Sequence, residues 1–505
     1  MTVDQQPVRS ATPSLGVPPA GGSGMSYRVR RLVKSLAVRM NTQNACRIVL
    51  GLIYVRNKAQ DAVPRAGEGH GEGRVSGQLP SWRWLVDQAA KPSPLGPHVW
   101  RCVSTWLAPV LRTEDGDTDQ NFVPSLPPTV DDHLRTLITE IDQADRVVEL
   151  LEQCLEELSA AQARGGHYFT PRDIVRLMVE AVAPQNGHRV LDPVCGSAGL
   201  LADAERYVRE RTGLQPNLLL TGRDLRSDTL QIARLNLAAR GIEADVGSPT
   251  DSLAQPASDS YDIVMANPPF NLSDWCAAPP RGDDPRWTGT VPPRDNANHA
   301  WILHIAHALA PQGRASVLMA DGAATGLRPS EKRIRERLVR EDLVECVVAL
   351  PPGLFPHVRI SCCLWLLNRD KSPHRGWGAA DRRKQILFVN ARTAYETMAG
   401  SRQRRLAADG VGRVLRTLSA WRGAPTMQGE APARYENDPG WCTSLSTAEV
   451  ADAGYVLLPV VHALEPADEH TAARERVEEL KWDLYGKFEK SHALERDLRR
   501  VLDEL

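Results

Sequence analysis

The stretch RVLDPVCGSAGLL (residues 189–201) decides how the chain folds. Apolar residues run to an acid, Asp192, and the chain then turns through Gly196, Ser197 and Gly199 into a helical pattern. A strand that ends in a tight small-residue loop and feeds a helix is the opening unit of a doubly wound sheet, where glycines let backbone amides approach a ligand. It is neither a Walker loop, since no Gly-Lys-Ser/Thr follows, nor the spaced G-x-G-x-x-G of dinucleotide binders. A lone Gly-rich turn also serves purely structural ends, so its meaning rests on its neighbours.

Downstream, LLLTGRD (218–224), YDIVMANPP (261–269), RASVLMADG (314–322), VECVVALP (344–351), SCCLWLLNR (361–369) and ILFVNA (386–391) read as further short strands. Helical patterns at 173–182 and 228–239 lie between or before them. This alternation predicts an α/β domain, a mostly parallel sheet covered by helices on both faces, with ligands at the carboxyl ends of the strands. Asp224, at the tip of the second strand, stands where an acid commonly holds the ribose hydroxyls of a nucleoside cofactor. Capping of the following helix is its other reading.

Upstream, the first 25 residues include ATPSLGVPPAGGSG (11–24), too poor in apolar residues to offset ordering entropy, and are expected to form a disordered tail. Residues 26–160 read as a mostly helical domain, with helical spacing over 28–57 and 130–163 and a Gly-rich interruption at 65–77. The catalytic domain is expected over 161–395, a helical, polar C-terminal extension over 396–470, and an amphipathic helix over 471–505. In that last segment Val477, Leu480, Leu484, Phe488, Leu494, Leu498, Val501 and Leu505 share a face. The face can fold back on its own core or meet another chain.

Composition narrows the class. The chain has 505 residues, 42% hydrophobic and 24% charged, with a formal net charge of -1, so no excess of basic residues signals independent nucleic-acid binding. Nine cysteines are scattered without Cys-x-x-Cys spacing, which fits reduced thiols and no metal site. No run approaches the roughly 20 apolar residues of a membrane span, and the N-terminus lacks a signal-peptide pattern. A cytoplasmic protein is expected.

The residues after the third of these strands carry the chemistry. In Asn267-Pro268-Pro269-Phe270 an amide, a rigid turn and a ring follow a buried strand. An exocyclic amine on a nucleobase is a poor nucleophile because its lone pair is delocalised into the ring. Two acceptors aimed at its protons favour the more tetrahedral transition state. The Asn267 amide oxygen and the Pro268 carbonyl are suited to that task, since prolines fix the backbone and bring no competing N–H. Phe270 would stack on the base, a contact worth roughly 1–3 kcal/mol. A strand-terminating Pro-Pro turn with an incidental Asn is the plainer reading.

With both motifs in view, the chain resembles amino-group DNA methyltransferases that use S-adenosylmethionine, and among them the modification subunit of Type I restriction systems. DPVCGSAG and NPPF look like that family's cofactor and catalytic motifs. GGHYFTPRDIVRLMVEAV (165–182), NPPFNLSDW (267–275), NANHAWILHIAHALAPQGRASVLMADG (296–322) and VECVVALPPGLFPHVRISCCLWLLNRDK (344–371) are similar to its other segments. Weaker likeness is found in NACRIVLGLIYVRN (44–57) and LSTAEVADAGYVLLP (445–459).

The resemblance implies a Rossmann-like methyltransferase fold, with Asn267, Pro268 and Phe270 holding a flipped adenine. It implies that Asp192, Gly196, Ser197 and Gly199 line the methionine side of S-adenosylmethionine and that Tyr168, Phe169, Thr170 and Pro171 close over it. Asp224 takes the ribose position, where the family usually shows Glu. Asp251 is the acid offered to the adenine ring of the cofactor, in GSPTDSL (247–253) where relatives often show Gly-Asp-Ser-Leu.

Recognition of a DNA sequence needs base contacts as well as phosphate contacts, and no segment is left over for it. A separate specificity subunit, gripped by the helical N-terminal domain, the C-terminal helix or both, is therefore expected. A second copy of this chain and a restriction or translocase subunit would complete the assembly on double-stranded DNA. Other readings are a solitary adenine or cytosine N-4 methyltransferase, a protein-glutamine or RNA methyltransferase, and an inactive scaffold binding DNA or partners.

Overall fold

The computed structural model describes residues 24–61, 80–111, 123–144, 147–162, 170–278, 280–355, 360–374, 376–397, 404–425 and 433–464. The N-terminal tail, the Gly-rich stretch at 65–77, Tyr168, Phe169 and the amphipathic segment 471–505 lie outside the described residues. The described chain divides into two compact units. One runs to Gln162 and includes Ala238–Arg240; the other holds the rest.

The first unit is helical: α1 (Gly24–Met40), α2 (Thr42–Asp61), α3 (Trp82–Ala89), α4 (Gly96–Leu107), α5 (Asp131–Asp142) and α6 (Val147–Gln162). Ile48, Val49, Leu50, Leu52, Ile53 and Val55 of α2 are all fully buried, which explains why that stretch is apolar all round: neighbouring helices enclose it. Gly51 makes this possible on one side, since a Cβ there would stand 2.5 Å from Val103 Cγ1 of α4. Ser81 starts α3 by accepting the Trp84 N–H on its Oγ at 3.1 Å.

The second unit is a nine-stranded sheet with helices on both faces. Its chain order is α7 (Arg172–Val182), β1 (Arg189–Asp192), α8 (Gly199–Thr212), β2 (Leu219–Gly222), α9 (Ser227–Ala239), β3 (Asp245–Val246), β4 (Tyr261–Ala266), α10 (Asn298–Ala308), β5 (Leu309–Ala320), α11 (Gly322–Thr325), α12 (Pro329–Arg340), β6 (Val344–Ala349), β7 (Cys362–Asn368), β8 (Gln385–Asn390), β9 (Tyr395–Thr397), β10 (Arg404–Leu406), α13 (Ala408–Arg422), β11 (Cys442–Ser446), α14 (Thr447–Asp452) and α15 (Pro459–His462). All seven strands expected from the sequence are present. They are joined in the order β11-β8-β6-β7-β5-β4-β1-β2-β3. Pairing is parallel from β3 through β5 and between β6 and β8, while β7 and β11 run antiparallel to their neighbours.

Strand alternation sorts side chains onto two cores. Ile263 and Met265 of β4, Leu364 and Leu366 of β7, and Leu387 and Val389 of β8 face one core with α7, α8 and α13. Val264 and Ala266, Cys363 and Trp365, and Ile386 and Phe388 face the other with α10 and α12. Burial on both faces accounts for the near-continuous apolar runs in these strands.

The expected separate extension over 396–470 needs correction. Strand β11 hydrogen-bonds to β8 and α13 lies against α7, so these residues belong to the sheet unit. Ser446 ends β11 and begins α14 through a capping box with Glu449.

The order of connections creates a switch point. From β1 the chain moves outward to β2 and β3, then returns to place β4 on the other side of β1. Loops after β1 and β4 therefore part at the carboxyl edge and leave a crevice between them, where ligands of open α/β sheets bind.

Candidate active site

Asp192 is the last residue of β1 and only 1% exposed. Its Oδ1 accepts the Val194 N–H at 3.1 Å. Burial pushes its carboxyl up to about 8, against the pull of that N–H and with the negative charge of Asp224 adding to the rise. A carboxyl so placed gains by meeting a cation.

The loop that follows is held from several sides. Gly196 has φ 54° and Ala198, at the N-cap of α8, φ 62°, left-handed values that glycine adopts freely and alanine at a cost. A Cβ at Gly196 or Gly199 would meet nothing within 4 Å, so the loop opens onto free space, the cradle a ligand would fill. The Gly196 N–H donates to Asp224 Oδ2 at 3.1 Å and the Arg226 N–H to Asp224 Oδ1 at 3.0 Å. Asp224 thus ties the Gly loop to the tip of β2 and also braces the start of α9; lone pairs remain on both oxygens.

Three supports were not legible in the motif. Asn236 of α9, 1% exposed, donates through Nδ2 to the Ser197 carbonyl at 2.8 Å. Gly222 ends β2 where a Cβ would stand 3.1 Å from Cys195 Sγ, so its lack of a side chain lets the loop settle on the strand. Ser252 Oγ donates to the Pro193 carbonyl at 2.6 Å. An uncharged Asn within the apolar run of a helix is the one sequence signal that would have singled out Asn236. Asp251 itself is exposed and accepts the Leu253 N–H at 3.0 Å; among the described residues no hydrogen bond or ion pair joins it to another expected site residue.

Asn267 follows β4 directly and is half-buried; Pro268 is buried and Pro269 exposed. Asn267 donates through Nδ2 to Thr170 Oγ1 at 2.8 Å, which turns its Oδ1 away from Thr170, and among the described residues no donor reaches that oxygen. Thr170 and Pro171 stand immediately before α7. Phe270 is half-buried and meets Phe355, which follows β6, edge to face at 6.1 Å and 88°. Beyond it Asn271 adopts φ 54°, and Asn298 secures that bend: its Oδ1 accepts the Asn271 N–H at 2.9 Å and its Nδ2 donates to Asn271 Oδ1 at 2.8 Å. The site thus brings together Thr170, Asn267, Pro268 and Phe270 on one side of the crevice and Asp192, Gly196, Ser197, Gly199 and Asp224 on the other. Among the described residues no group of three or more His, Cys, Asp or Glu could hold a metal ion.

Comparison with known proteins assigns the chain to a family. The family model described as N-6 DNA Methylase matches residues 142–470. The Type I restriction enzyme HindI methylase subunit of Haemophilus influenzae is 34% identical over 72% of this chain and 78% of its own. The MjaIX methylase subunit of Methanocaldococcus jannaschii is 30% identical over 68% of this chain and 60% of its own. Among solved structures, the type I restriction-modification system methyltransferase subunit from Streptococcus thermophilus superposes with a TM-score of 0.66 at 16% identity, covering 87% of this chain and all of that one. That likeness gives the fold as the α/β, mostly parallel fold of a methyltransferase subunit. On the family match and the 34% identity to the Haemophilus subunit, the chain belongs to the N-6 DNA methylase family.

Proposed function

We propose that the chain is the modification subunit of a Type I restriction system and transfers a methyl group from S-adenosylmethionine to the exocyclic amine of adenine in DNA. The observation that carries the reading is the placement of Asn267, at the end of β4, across the switch point from the Gly loop at the end of β1. Bound S-adenosylmethionine supplies an electrophilic methyl group on a sulfonium centre. The residues fit such a cofactor: open space above Gly196 and Gly199 admits it, and the buried Asp192 carboxyl would pair with its cationic methionine end. Asp224 would take the ribose hydroxyls and Asp251 the adenine ring, with Tyr168, Phe169, Thr170 and Pro171 closing over the pocket.

The chain's own work is to hold the amine. Asn267 Oδ1 and the Pro268 carbonyl accept its two protons, which favours the tetrahedral geometry of the transition state. Phe270 stacks on the base, its ring fixed by Phe355. The base must leave the duplex to reach this crevice.

A net charge of -1, with both units of the described residues accounted for by the helical bundle and the sheet, supports a division of labour. A specificity subunit would read the sequence and be gripped by the helical unit, the 471–505 segment or both, beside a second copy of this chain and a restriction or translocase subunit. No helix among the described residues is long and apolar enough to cross a membrane, and a cytoplasmic location follows from work on DNA.

The test is methyl transfer from radiolabelled S-adenosylmethionine to unmethylated genomic DNA, with the chain alone and with its specificity subunit. Label in adenine only when the partner is present, and lost in Asn267→Ala, is expected. Sequence-specific labelling by the lone chain would replace this reading with a solitary methyltransferase. Loss of assembly on deleting residues 472–505, with cofactor binding intact, would assign that segment to the partner.

A further inference from the structure

A cavity of about 840 Å³ opens at the opposite end of the sheet from the methyltransferase crevice. It is lined by Arg314 of β5, Glu180 of α7, Tyr207 of α8, Arg422 of α13, and His374 and Trp377 from the turn after β7. Arg314 pairs in register with Ile263 near the start of β4, whereas Asn267 lies past that strand's other end. The proposed methyltransferase site has no use for any of these six.

Three guanidinium groups line the cavity: Arg211 is exposed, with its Cζ 5.6 Å from the centre of the Tyr207 ring, and of the two buried ones only one has an ion pair. Arg422 is paired with Glu345 at 2.5 Å, and Glu180 with Arg176 at 2.6 Å. Arg314 is 5% exposed, yet among the described residues no carboxylate lies within ion-pair distance of it. It donates to the Gly376 carbonyl at 2.8 Å and, at a long 3.4 Å, to the Ala183 carbonyl. Of the acids that act on it from further off, Glu345 is engaged by Arg422 and Asp262 by the Arg189 N–H at 2.8 Å. A buried guanidinium without a counter-ion is costly, and burial with the nearby Arg422 lowers its affinity for its proton, to about 10.

Two further features shape what would relieve it. Trp377 and His374 stack with ring centres 6.1 Å apart and planes 13° from parallel, and Tyr207, 4% exposed, stands among Arg211, Glu180, Arg314 and Arg422. Glu180 Oε2 is buried with no hydrogen-bond partner, an acceptor that lacks a donor. The wall therefore offers one buried guanidinium without an ion pair, the exposed Arg211, aromatic surface and one orphaned acceptor.

We propose that this cavity is a binding site for a small planar aromatic carboxylate bearing an N–H donor, its carboxylate on Arg314, its ring against the Trp377 face of the cavity and its N–H on Glu180. A planar carboxylate matches the fork of the one buried guanidinium that has no ion pair. The volume lies in the range of roughly 300–1,000 Å³ usual for small-molecule sites.

The test is calorimetric titration of the full chain with indole-2-carboxylate, indole-2-carboxamide and phenyl phosphate. The carboxylate is expected to bind at least about 10-fold more tightly than the neutral amide or the phosphate. Arg314→Met, which removes the buried charge at nearly constant volume, should abolish that preference while leaving S-adenosylmethionine binding at the far crevice unchanged. Ser419→Phe, which fills the cavity from α13 without touching the charges, should abolish binding of all three. Equal binding of acid and amide, binding that survives both substitutions, or no binding of the carboxylate at millimolar concentration would overturn the proposal. Preference for phenyl phosphate would overturn the carboxylate assignment.

Discussion

The side-chain amide of Asn267 is held by Thr170, its Nδ2 donating to the threonine Oγ1 at 2.8 Å. The residue expected to accept protons from the target amine is thus oriented by one that arrives from nearly a hundred positions upstream. Without that acceptor the amide can rotate and present Nδ2, a donor, to an amine that needs an acceptor. Thr170→Val should lower kcat about 10-fold, the effect of one neutral hydrogen bond felt in the transition state. KM for DNA should stay within about 3-fold, and Thr170→Ser should restore most of the rate. Steady-state kinetics on a hemimethylated duplex checks this; a rate kept in the Val variant and lost in the Ser variant would show that the methyl group of Thr170 matters rather than its hydroxyl.

On the proposed function, Asp192 should make cofactor binding a function of pH. Burial holds its carboxyl up at about 8, so near pH 6 the free protein carries it protonated, and a cationic ligand must displace that proton. Affinity for S-adenosylmethionine should rise by up to about 10-fold per pH unit between pH 6 and 8 and then level off. Asp192→Asn should bind weakly with no such slope. Titration in buffers of differing ionisation enthalpy should register close to one proton released per ligand at pH 6.5; none released would mean that Asp192 is already ionised.

Much of this was legible in the sequence, and the reason is physical. Strands β1, β4, β6, β7 and β8 are buried on both faces, so each carries its signal in residue type alone. Asp192, Gly196 and Asn267 stand at strand ends where turn residues punctuate those runs. Less legible were β3, two residues long, and β11, whose sequence CTSLS is polar because it lies at the sheet's edge, where pairing with β8 rather than burial holds it. The α4 helix, with a proline in its first turn, carries no N-cap side chain to mark it. Contacts distant in sequence, such as Asn236 to Ser197 and Asn298 to Asn271, leave no local pattern to read.

The contact from Asn236 to the Ser197 carbonyl makes α9 a brace for the cofactor loop. Asn236→Ala would leave the carbonyl without its partner and a small void beneath the loop. A destabilisation of roughly 1–3 kcal/mol is expected, together with weaker S-adenosylmethionine binding. Asn236→Asp should be worse at neutral pH, because a carboxylate cannot donate and would face the carbonyl oxygen directly. Thermal unfolding with and without cofactor separates the effects: a loop role requires the cofactor-induced rise in Tm to shrink, whereas an unchanged rise would confine Asn236 to general stability.

Two of the three histidines of helix α10 are buried and kept neutral. His299 is held down at about 4 by burial and then by Arg335, its Nε2 facing the Ala323 carbonyl at 3.1 Å. His304 is held at about 3 by burial and then by Arg286, whose Nη1 lies 3.2 Å from its Nδ1. In the unfolded chain both would titrate near 6.5. Their folded values are depressed bases, so the stability they contribute is complete above pH 6.5 and is lost as pH falls toward 4 and 3. Each should remove about 1.4 kcal/mol per pH unit below 6. Asp192 works in the opposite sense, since its raised value costs stability as pH climbs from about 4 to about 8, and over pH 5–6 it offsets one of the two histidine protons. Urea midpoints should therefore fall only moderately from pH 6 to 5 in the wild type, fall more steeply in Asp192→Asn, and fall distinctly less in Asp192→Asn combined with His299→Gln and His304→Gln, where His188, His307 and His462, also lowered by burial, carry the slope that remains. A slope unchanged by the two histidine substitutions would mean that these imidazoles take up their protons before the chain unfolds.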